Sequence, residues 1–335
     1  MTRLLPCLAL LVASALLAGC GEKEDVLEPQ GSKRVEVLLD FFPNADHAGL
    51  YAAQANGHFR EAGLDVRLRA PADPSTGARL SQLLSGKADL AISYEPEVLQ
   101  ARDKDQRVVA VAALVQKPLT SIISLPRARI RKPADLEGKT VGTAGIDYQS
   151  AYLRTILLDA GVDPDSVKER NIGFGFSKAL LSRRVDATLG AFWNYEGTQL
   201  RLKQRRPRII RMEEAGVPTY NELVLIANEE ALERDGDKIR AFIGALSRGT
   251  RDLRENPDSA IRGLLEANRD LDPKLERRAL RVTLPLLFPP EGKPFGYQDP
   301  EQWQEFTAWM RENGLVRLPD ARDSFTNDLL PGAGL

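Results

Sequence analysis

The chain has 335 residues, and its 46 Lys and Arg against 47 Asp and Glu give a formal net charge of −1. This balance excludes the basic bias of nucleic-acid-binding proteins, so no nucleic-acid partner is expected. Two cysteines and two histidines are too few for a disulfide scaffold or a histidine-rich metal site, and the sequence predicts neither a metal nor a cofactor.

The first 33 residues predict an export signal and a tether. Arg3 precedes an apolar run over residues 4–17, which is shorter than the roughly 20 residues of a membrane span. The Leu-Ala-Gly-Cys sequence that ends at Cys20 resembles the lipobox of bacterial lipoproteins. We interpret residues 1–19 as a lipoprotein signal peptide, Cys20 as the lipidation site and residues 20–33 as a flexible tether. An ordinary signal peptide with an incidental cysteine is the alternative.

Short apolar strands alternate with helical stretches from Val35 onward, and the first such unit extends to residue 120. The predicted strands of this unit cover residues 35–39, 64–68, 89–93 and 108–115. The predicted helices cover residues 48–62, 77–84 and 97–102. This alternation favours parallel strand pairing through βαβ units.

A second unit of the same kind follows. Its predicted strands cover residues 139–142, 172–174, 186–192 and 208–212. Its predicted helices cover residues 150–160, 178–182 and 196–203. An apolar strand over residues 222–227 then returns to the first unit, and a helical stretch over residues 238–268 is broken near Pro257. The tail after Leu284 is rich in Pro, Gly and aromatic residues and is expected to pack on the first unit.

Two α/β units joined by two crossings predict an α/β protein with two lobes and a ligand cleft between them. Residues 34–120 and 222–335 form the first predicted lobe, and residues 121–221 form the second. Hinges are expected near residues 117–124 and 219–223. Because ligands in open α/β sheets bind at the carboxyl ends of strands, the segments that follow the strands are the candidate cleft.

Three of these segments carry specific motifs: Pro-Asn-x-x-His-Ala-Gly from Pro43, Ser-Tyr-Glu-Pro from Ser93 and Trp-Asn-Tyr-Glu from Trp193. With them the chain resembles the ABC-importer solute-binding proteins that include binders of thiamine-pyrimidine precursors, sulfonates and riboflavin. The motifs look most like the pyrimidine-precursor branch. The resemblance implies a two-lobed periplasmic-binding-protein-like fold of type II and partner permease and ATPase subunits. The sequence shows no reason to expect an oligomer, so a monomer is expected. The lipobox motif places it in the cell envelope, lipid-anchored on the outer face of the cytoplasmic membrane or in the periplasm.

The same fold family contains a fungal enzyme that makes the thiamine pyrimidine by consuming its own histidine, with pyridoxal phosphate on a lysine. Aligning its motif on the strand over residues 89–93 places Ser93 near the lysine position and Glu97 near the histidine position. The cysteine cluster of that enzyme is absent as well. The chain is therefore expected to be no enzyme and to have no catalytic residue.

The candidate ligand contacts are aromatic, acidic or amide-bearing, with almost no Lys or Arg among them. They are Asp40, Phe42, Asn44, His47, Tyr94, Glu95, Tyr148, Trp193, Asn194 and Glu196. An anionic ligand should be met by arginine, whereas an aminopyrimidine offers a flat ring to aromatic side chains and N–H donors to carboxylates and amides. The composition favours capture of an aminopyrimidine by cleft closure, with riboflavin or an aliphatic sulfonate as alternatives.

Simpler roles stay open for several of these residues. Asn44 or Asp46 could cap the helix that begins near residue 48, His47 could make one backbone bond, and Trp193 or Tyr94 could be core. The basic runs over residues 127–132 and 203–206 are interpreted as solvated loops. Contact with a permease or an anionic headgroup is the alternative for these runs.

Overall fold

The computed structural model describes residues 32–72 and 76–332. The predicted signal peptide, Cys20 and most of the predicted tether lie outside the described residues. The strands are, in chain order, β1 (Lys33–Leu38), β2 (Leu64–Arg69), β3 (Leu90–Ser93), β4 (Val108–Val115), β5 (Thr120–Ser124), β6 (Thr140–Thr143), β7 (Lys168–Asn171), β8 (Ala187–Phe192), β9 (Arg208–Arg211) and β10 (Leu223–Asn228). The α-helices are α1 (Ala48–Ala55), α2 (His58–Glu61), α3 (Thr76–Leu84), α4 (Glu95–Arg102), α5 (Asp147–Asp159), α6 (Phe176–Leu181), α7 (Glu196–Leu202), α8 (Glu229–Glu255), α9 (Pro257–Ala260), α10 (Arg262–Ala267), α11 (Pro273–Thr283) and α12 (Pro300–Glu312).

The strands form two mixed five-stranded sheets, in the orders β2-β1-β3-β10-β4 and β7-β6-β8-β5-β9. As the βαβ pattern predicts, β1 pairs in parallel with β2 and β3, and β6 pairs in parallel with β7 and β8. In contrast, β10 and β5 are antiparallel to both of their neighbours. Each of these two strands follows a crossing between the sheets rather than a helix that returns to the same sheet.

The chain crosses from the first sheet to the second between Val115 and Thr120, and it returns before Leu223. We call described residues up to 119 and from 222 onward the first region, and residues 120–221 the second region. Residues 120–124, which the sequence analysis assigned to a hinge, are the buried strand β5 in the second sheet. The hydrophobic residues of this short segment are flanked by polar ones, so the hydrophobic pattern alone did not reveal a strand.

The first sheet has a separate core on each face, because successive residues of a strand point to opposite sides. Val35 and Val37 pack with residues of α1, α8 and α11, whereas Leu38 packs with residues of α3, α4 and α12. Helices α1 and α8 approach closely at Gly249, where an added Cβ would lie 2.6 Å from the Cβ of Ala53. A glycine at this position therefore permits the packing of the two helices.

Other differences from the predicted elements have local causes. The predicted helix over residues 48–62 is divided into α1 and α2 at Gly57, whose φ of 80° ends the helical path. The strand predicted at residues 172–174 is wrong, because β7 lies just before it at Lys168–Asn171. The sequence predicts no helix after Leu284, yet α12 lies there. Its Trp309 ring lies 5.4 Å from the ring of Tyr152 in α5, so the tail packs on both regions.

Within residues 32–72 and 76–332, no helix is both long enough and apolar enough to cross a membrane. The longest, α8, has 27 residues and many charged side chains on its exposed face.

Candidate functional site

A cavity of about 440 Å³ lies at the carboxyl ends of strands from both sheets. The first region lines it with the loop after β1 and the first turns of α4, and the second region lines it with the segments after β6, β7 and β8. Ligands in open α/β sheets bind at this end of the strands. The volume is typical of small-molecule pockets, so the cavity is the candidate ligand site.

Asp40 is the centre of a buried hydrogen-bond network in the first region. His47 Nδ1 accepts the backbone N–H of Asn44 over 3.2 Å, so Nε2 carries a hydrogen and donates to Asp40 Oδ1 over 2.7 Å. The Tyr94 hydroxyl donates to the second oxygen, Oδ2, over 2.6 Å. Burial alone would raise the pKa of Asp40, but these hydrogen bonds outweigh burial and the pKa lies below its usual value. Asp40 is therefore an ionised carboxylate that already has a partner for each oxygen.

A buried ion pair lies beside this network. Arg79 pairs with Glu97 over 2.6 Å and donates to the backbone oxygen of Asp40 over 3.1 Å. Its guanidinium carbon lies 5.7 Å from the centre of the Tyr94 ring. Glu97 lines the cavity and Arg79 does not, and the lining, as far as the structure describes it, contains no Lys or Arg. The nearest buried cation is therefore matched by a carboxylate and is not presented to a ligand.

The turn after β8 connects the second region to the first beside the cavity. Asn194 Nδ2 donates to Asp46 Oδ1 and to Thr283 Oγ1, each over 2.7 Å. The Tyr195 hydroxyl donates to Glu276 of α11 over 2.9 Å. Burial raises the pKa of Asp46 and of Glu276 to about 7. Asn194 thus acts between the two regions, whereas Asp46 and Tyr195 also reach the cavity.

Aromatic rings from both regions meet across the cavity. The Phe41 ring centre lies 4.6 Å from that of Phe42 and 5.4 Å from that of Phe174 in the second region. Phe42 also meets Tyr195 edge-on, with 5.8 Å between the ring centres. Phe42 is 41% exposed and Phe174 is 47% exposed, and both line the cavity. Exposed apolar rings at a cavity mark a surface that a ligand can cover.

Glu196 is the carboxyl that the second region places in the cavity wall after β8. One of its oxygens accepts the backbone N–H of Phe192 over 2.8 Å, and burial raises its pKa to about 7. Gly190 precedes it on β8 with a φ of 110°, and an added Cβ would lie 2.6 Å from Gln149 Nε2. Only glycine suits this backbone without displacing Gln149, which lines the same cavity.

Two buried carboxyls connect the crossings between the sheets. Glu222 accepts the backbone N–H groups of Leu119 and Thr120 over 2.6 and 2.8 Å, so one side chain joins the outgoing and returning crossings. Glu95, at the start of α4, accepts the backbone and side-chain N–H groups of Asn221 over 2.7 and 2.8 Å. Burial raises the pKa of Glu222 to about 7 and that of Glu95 to about 8.

Six of the ten candidate contacts line the cavity, and they come from both regions. They are Asp40, Phe42, Asn44, Tyr94, Tyr148 and Glu196. Asn44 caps the 3-10 turn at Ala45–His47 and not α1 itself, because its side-chain oxygen accepts the backbone N–H of Asp46 over 2.9 Å. Its Nδ2 donates to the backbone oxygen of Phe42, so Asn44 shapes the loop that carries this ring.

The other four candidates lie behind the cavity wall. His47 is covered by its bonds to Asp40 and Asn44, and Glu95 faces the returning crossing. Trp193 is 7% exposed, and its Nε1 donates to the backbone oxygen of Pro118 over 3.1 Å. Asn194 faces α11 and the loop after β1. These side chains hold the elements that form the cavity.

Several lining residues were missed as candidate contacts. Phe41, which lies next to the candidate Phe42 in the loop after β1, lines the cavity but is not among the predicted contacts. Phe174 was assigned to a strand, although it follows β7 and therefore reaches the carboxyl end of the sheet. Asp46 and Tyr195 stood in the right loops and could have been included by their position after a strand. Among the described residues, no group of three His, Cys, Asp or Glu could hold a metal ion.

Solved structures with the same architecture are known. The alkanesulfonate-binding protein from Xanthomonas axonopodis pv. citri bound to MOPS aligns with a TM-score of 0.67 at 15% identity, covering 88% of this chain and 98% of that one. At this level of identity the similarity shows the fold alone. It confirms the predicted α/β fold of periplasmic binding proteins.

Similar sequences extend over almost the whole chain. The formylaminopyrimidine-binding protein of Halalkalibacterium halodurans is 37% identical over 325 residues, which cover 96% of this chain and 97% of that protein. A 4-amino-5-hydroxymethyl-2-methylpyrimidine phosphate synthase of Saccharomyces cerevisiae is a more distant relative, 24% identical over 311 residues that cover 89% and 88% of the two chains. The sequence model of the NMT1/THI5-like family matches residues 44–260. The chain is therefore a homologue of a formylaminopyrimidine-binding protein and belongs to the NMT1/THI5-like family.

Proposed function

We propose that this chain is the extracytoplasmic binding component of an ABC importer and that it captures an aminopyrimidine precursor of thiamine by cleft closure. The relative with 37% identity is named for binding formylaminopyrimidine, and this chain aligns with 97% of its length. We propose that the first and second regions are the two lobes that close on the ligand. Hinge closure of this kind is an established motion of two-lobed binding proteins.

The observation that carries the ligand class is the composition of the cavity wall. In the described part of the chain, the wall combines aromatic rings with carboxyl groups and contains no Lys or Arg. A sulfonate, phosphate or carboxylate would lack a cationic partner there and would face repulsion from the acidic side chains. An aminopyrimidine matches the wall, because its ring has two faces for aromatic contact and its amino group donates hydrogen bonds.

The proposed contacts divide between the two regions. Phe42 and Phe174 cover the faces of the pyrimidine ring, since each presents an exposed ring to the cavity. Glu196 accepts from the exocyclic amino group with the carboxylate oxygen that does not bind Phe192. Asp40 and Tyr94 form a polar wall whose internal hydrogen bonds fix its geometry before the ligand arrives.

Binding without catalysis is the proposed activity, although the family includes synthases. Ser93, near the lysine position of the synthase motif, donates to Glu97 over 2.8 Å, and Glu97 pairs with Arg79. Both positions therefore take part in a buried polar cluster of the first region. Neither side chain offers the amine that carries pyridoxal phosphate in the synthase or the imidazole that the synthase consumes.

The proposed role as a binding component implies a location outside the cytoplasmic membrane and partner subunits that take up the ligand. We propose that residues 1–19 direct export and that Cys20 receives the lipid, which holds the protein at the outer face of the cytoplasmic membrane or in the periplasm. Permease and ATPase subunits would receive the ligand from the closed form. One copy of the chain is sufficient, because both walls of the cavity belong to it.

Calorimetric titration of residues 21–335 tests the ligand class. This chain keeps every described strand and helix, since β1 begins at Lys33. The panel contains formylaminomethyl- and hydroxymethyl-aminopyrimidine, thiamine, riboflavin and taurine. We expect micromolar or tighter binding of an aminopyrimidine and no heat with taurine. Binding of taurine or riboflavin alone would keep the transport role and contradict the proposed cavity chemistry.

A further inference from the structure

The second sheet has a strongly basic end, which lies opposite the cavity. Three of the loops at this end, residues 125–132, 183–184 and 203–208 beside β5, β8 and β9, contain ten Lys and Arg and no Asp or Glu. The strand register brings them together, because Ser124 at the end of β5 pairs with Ala187 at the start of β8 and with Arg208 at the start of β9. We call these three loops the basic end.

The cations of the basic end are available to an external partner. All ten are exposed, and none of them forms an ion pair within the part of the chain that the structure describes. Two nearby carboxylates are held by backbone groups instead. Asp135 accepts the N–H groups of Arg131 and Lys132, and Asp186 accepts that of Thr140. A carboxylate keeps its charge when it accepts a backbone N–H, but these two carboxylates are fewer than the ten cations, so the basic end keeps a net positive charge.

The backbone of these loops adopts a conformation that disfavours long side chains. Arg129, Arg183 and Arg206 have φ values of 59°, 61° and 47°, which lie in the left-handed region. Glycine and asparagine adopt this conformation at lower cost than arginine does. Each of the three loops thus places an arginine in this conformation, and the third loop places Gln204 there as well.

The basic end lacks the features of a protein–protein interface. The cores of such interfaces are rich in apolar and aromatic side chains and poor in charged ones. The large hydrophobic side chains that are exposed in residues 32–72 and 76–332 are Phe42, Leu158, Phe174 and Val282, and none belongs to these loops. Eight of the ten cations are arginines, whose planar forks bind phosphate oxygens in pairs. The chemistry fits a surface of phosphodiester headgroups.

We propose that the basic end docks the protein on an anionic phospholipid surface, with the cavity held away from the bilayer. The inference rests on the proposed envelope location, which places the chain beside a membrane. Thr120 and Phe192 pair at the opposite end of β5 and β8, and both line the cavity. At about 3.3 Å per residue, β8 places roughly 17 Å between that end and the headgroups. A docked protein therefore keeps its cavity accessible.

Vesicle co-sedimentation of residues 21–335, which lack the lipid site, tests the docking without ligand. Vesicles of phosphatidylcholine are compared with vesicles that contain phosphatidylglycerol at three parts in ten. We expect at least tenfold stronger binding to the anionic vesicles at low salt. Binding should fall to the level of the neutral vesicles at 0.5 M salt, because screening shortens the range of the field.

Two matched variants locate the effect. The first replaces Arg131, Lys132, Arg205 and Arg206 by Gln and should lose at least tenfold in binding to anionic vesicles. The second replaces the same number of exposed cations of the first region by Gln and should retain binding; they are Arg60, Lys104, Arg251 and Lys274. Circular dichroism verifies that both variants fold.

Three results would overturn the docking proposal: equal binding to neutral and anionic vesicles, equal loss in both variants, or binding to poly-glutamate without binding to vesicles. The last result would identify an acidic protein segment as the partner. Ligand calorimetry is a separate measurement, so failure of the docking proposal and failure of the proposed ligand are distinguishable.

Discussion

The two regions of this chain differ in how their charged side chains are paired. Every ion pair of the described residues lies in the first region. The second region contains 17 Lys and Arg and 11 Asp and Glu, a formal net charge of +6, and leaves them without ion pairs. The rest of the chain therefore carries −7.

The same contrast continues into the cavity. The first region supplies a polar wall in which Asp40, His47 and Tyr94 already bind one another. The second region supplies exposed Phe174 and a carboxyl, Glu196, whose pKa burial raises to about 7. One wall is prearranged and the other gains partners when a ligand arrives. Substitutions in the hydrogen-bonded polar wall should therefore change mainly stability, and substitutions of Glu196 or of the exposed rings Phe42 and Phe174 should change mainly affinity.

Asp40→Asn should give the largest change in stability. The amide keeps one acceptor oxygen, so either His47 Nε2–H or the Tyr94 hydroxyl loses its buried partner. We expect the free energy of unfolding to fall by about 1–3 kcal/mol in urea denaturation. Asp147→Asn is the matched control, because Asp147 is an exposed carboxylate of the second region at the same cavity. An equal loss in both variants would contradict the division of roles.

The pH dependence of the unfolding free energy tests the buried contact between Glu95 and the returning crossing. Burial raises its pKa from 4.5 to about 8, so the folded protein binds this proton more tightly than the unfolded chain does. The resulting stability is complete below pH 4.5 and is lost as the pH rises toward 8. Glu95→Gln should flatten this decline by up to about 1.4 kcal/mol per pH unit. Denaturation at several pH values measures the slope, and exposed Glu214→Gln should leave it unchanged.

Glu196→Gln should produce the largest loss of affinity in the second region. The amide can place a donor where the ligand amino group needs an acceptor, and one buried hydrogen bond to a charged group is worth about 1.5–3 kcal/mol. We expect aminopyrimidine binding to weaken more than tenfold in calorimetry, with the unfolding free energy nearly unchanged. Unaltered affinity would remove Glu196 from the site, whichever ligand binds.

Phe42→Ala and Phe174→Ala compare the two walls directly. Each ring should contribute roughly 0.5–1.5 kcal/mol of contact with an aromatic ligand, or about 2- to 13-fold in affinity. Leu158→Ala is the control, because Leu158 is 54% exposed and does not line the cavity. Loss in one phenylalanine variant alone would show that a single region holds the ring.

Neutralising the basic run of residues 127–132 should have the smallest effect on ligand capture. These side chains lie at the end of the second sheet that is opposite the cavity. We expect Arg127, Arg131 and Lys132 replaced by Gln to bind the aminopyrimidine within twofold of the unaltered chain. A large loss in calorimetry would mean that this end of the sheet is coupled to the cavity.

The sequence was sufficient for the elements whose hydrophobic residues face a core. The strand at Val108–Val115 has the predicted bounds, because all eight of its residues are buried. In β7, Lys-Glu-Arg-Asn at the sheet edge has no apolar residue, and the apolar residues that follow it attracted the prediction instead. The short strand β5 was missed because its two isoleucines are flanked by polar residues.

The sequence predicted which loops reach the cavity, but it did not predict which of their side chains point into the cavity. Asp40, Tyr94 and Glu196, which were chosen because they follow strands, line the cavity. In the Trp-Asn-Tyr-Glu turn, however, the backbone points Trp193 and Asn194 away from it. Their partners are distant in sequence, on the outgoing crossing and on α11. The sequence around these two residues therefore does not indicate their partners.

The antiparallel strand β10 also determines the order in which the chain can complete its fold. It lies between β3 and β4, and it is made only after the entire second sheet. As the chain emerges from its N-terminus, β3 and β4 each present an unpaired edge until residues 223–228 arrive. The second sheet, being continuous in sequence, can form during this interval. A nascent chain therefore needs protection at the edges of the first sheet for longer than at those of the second.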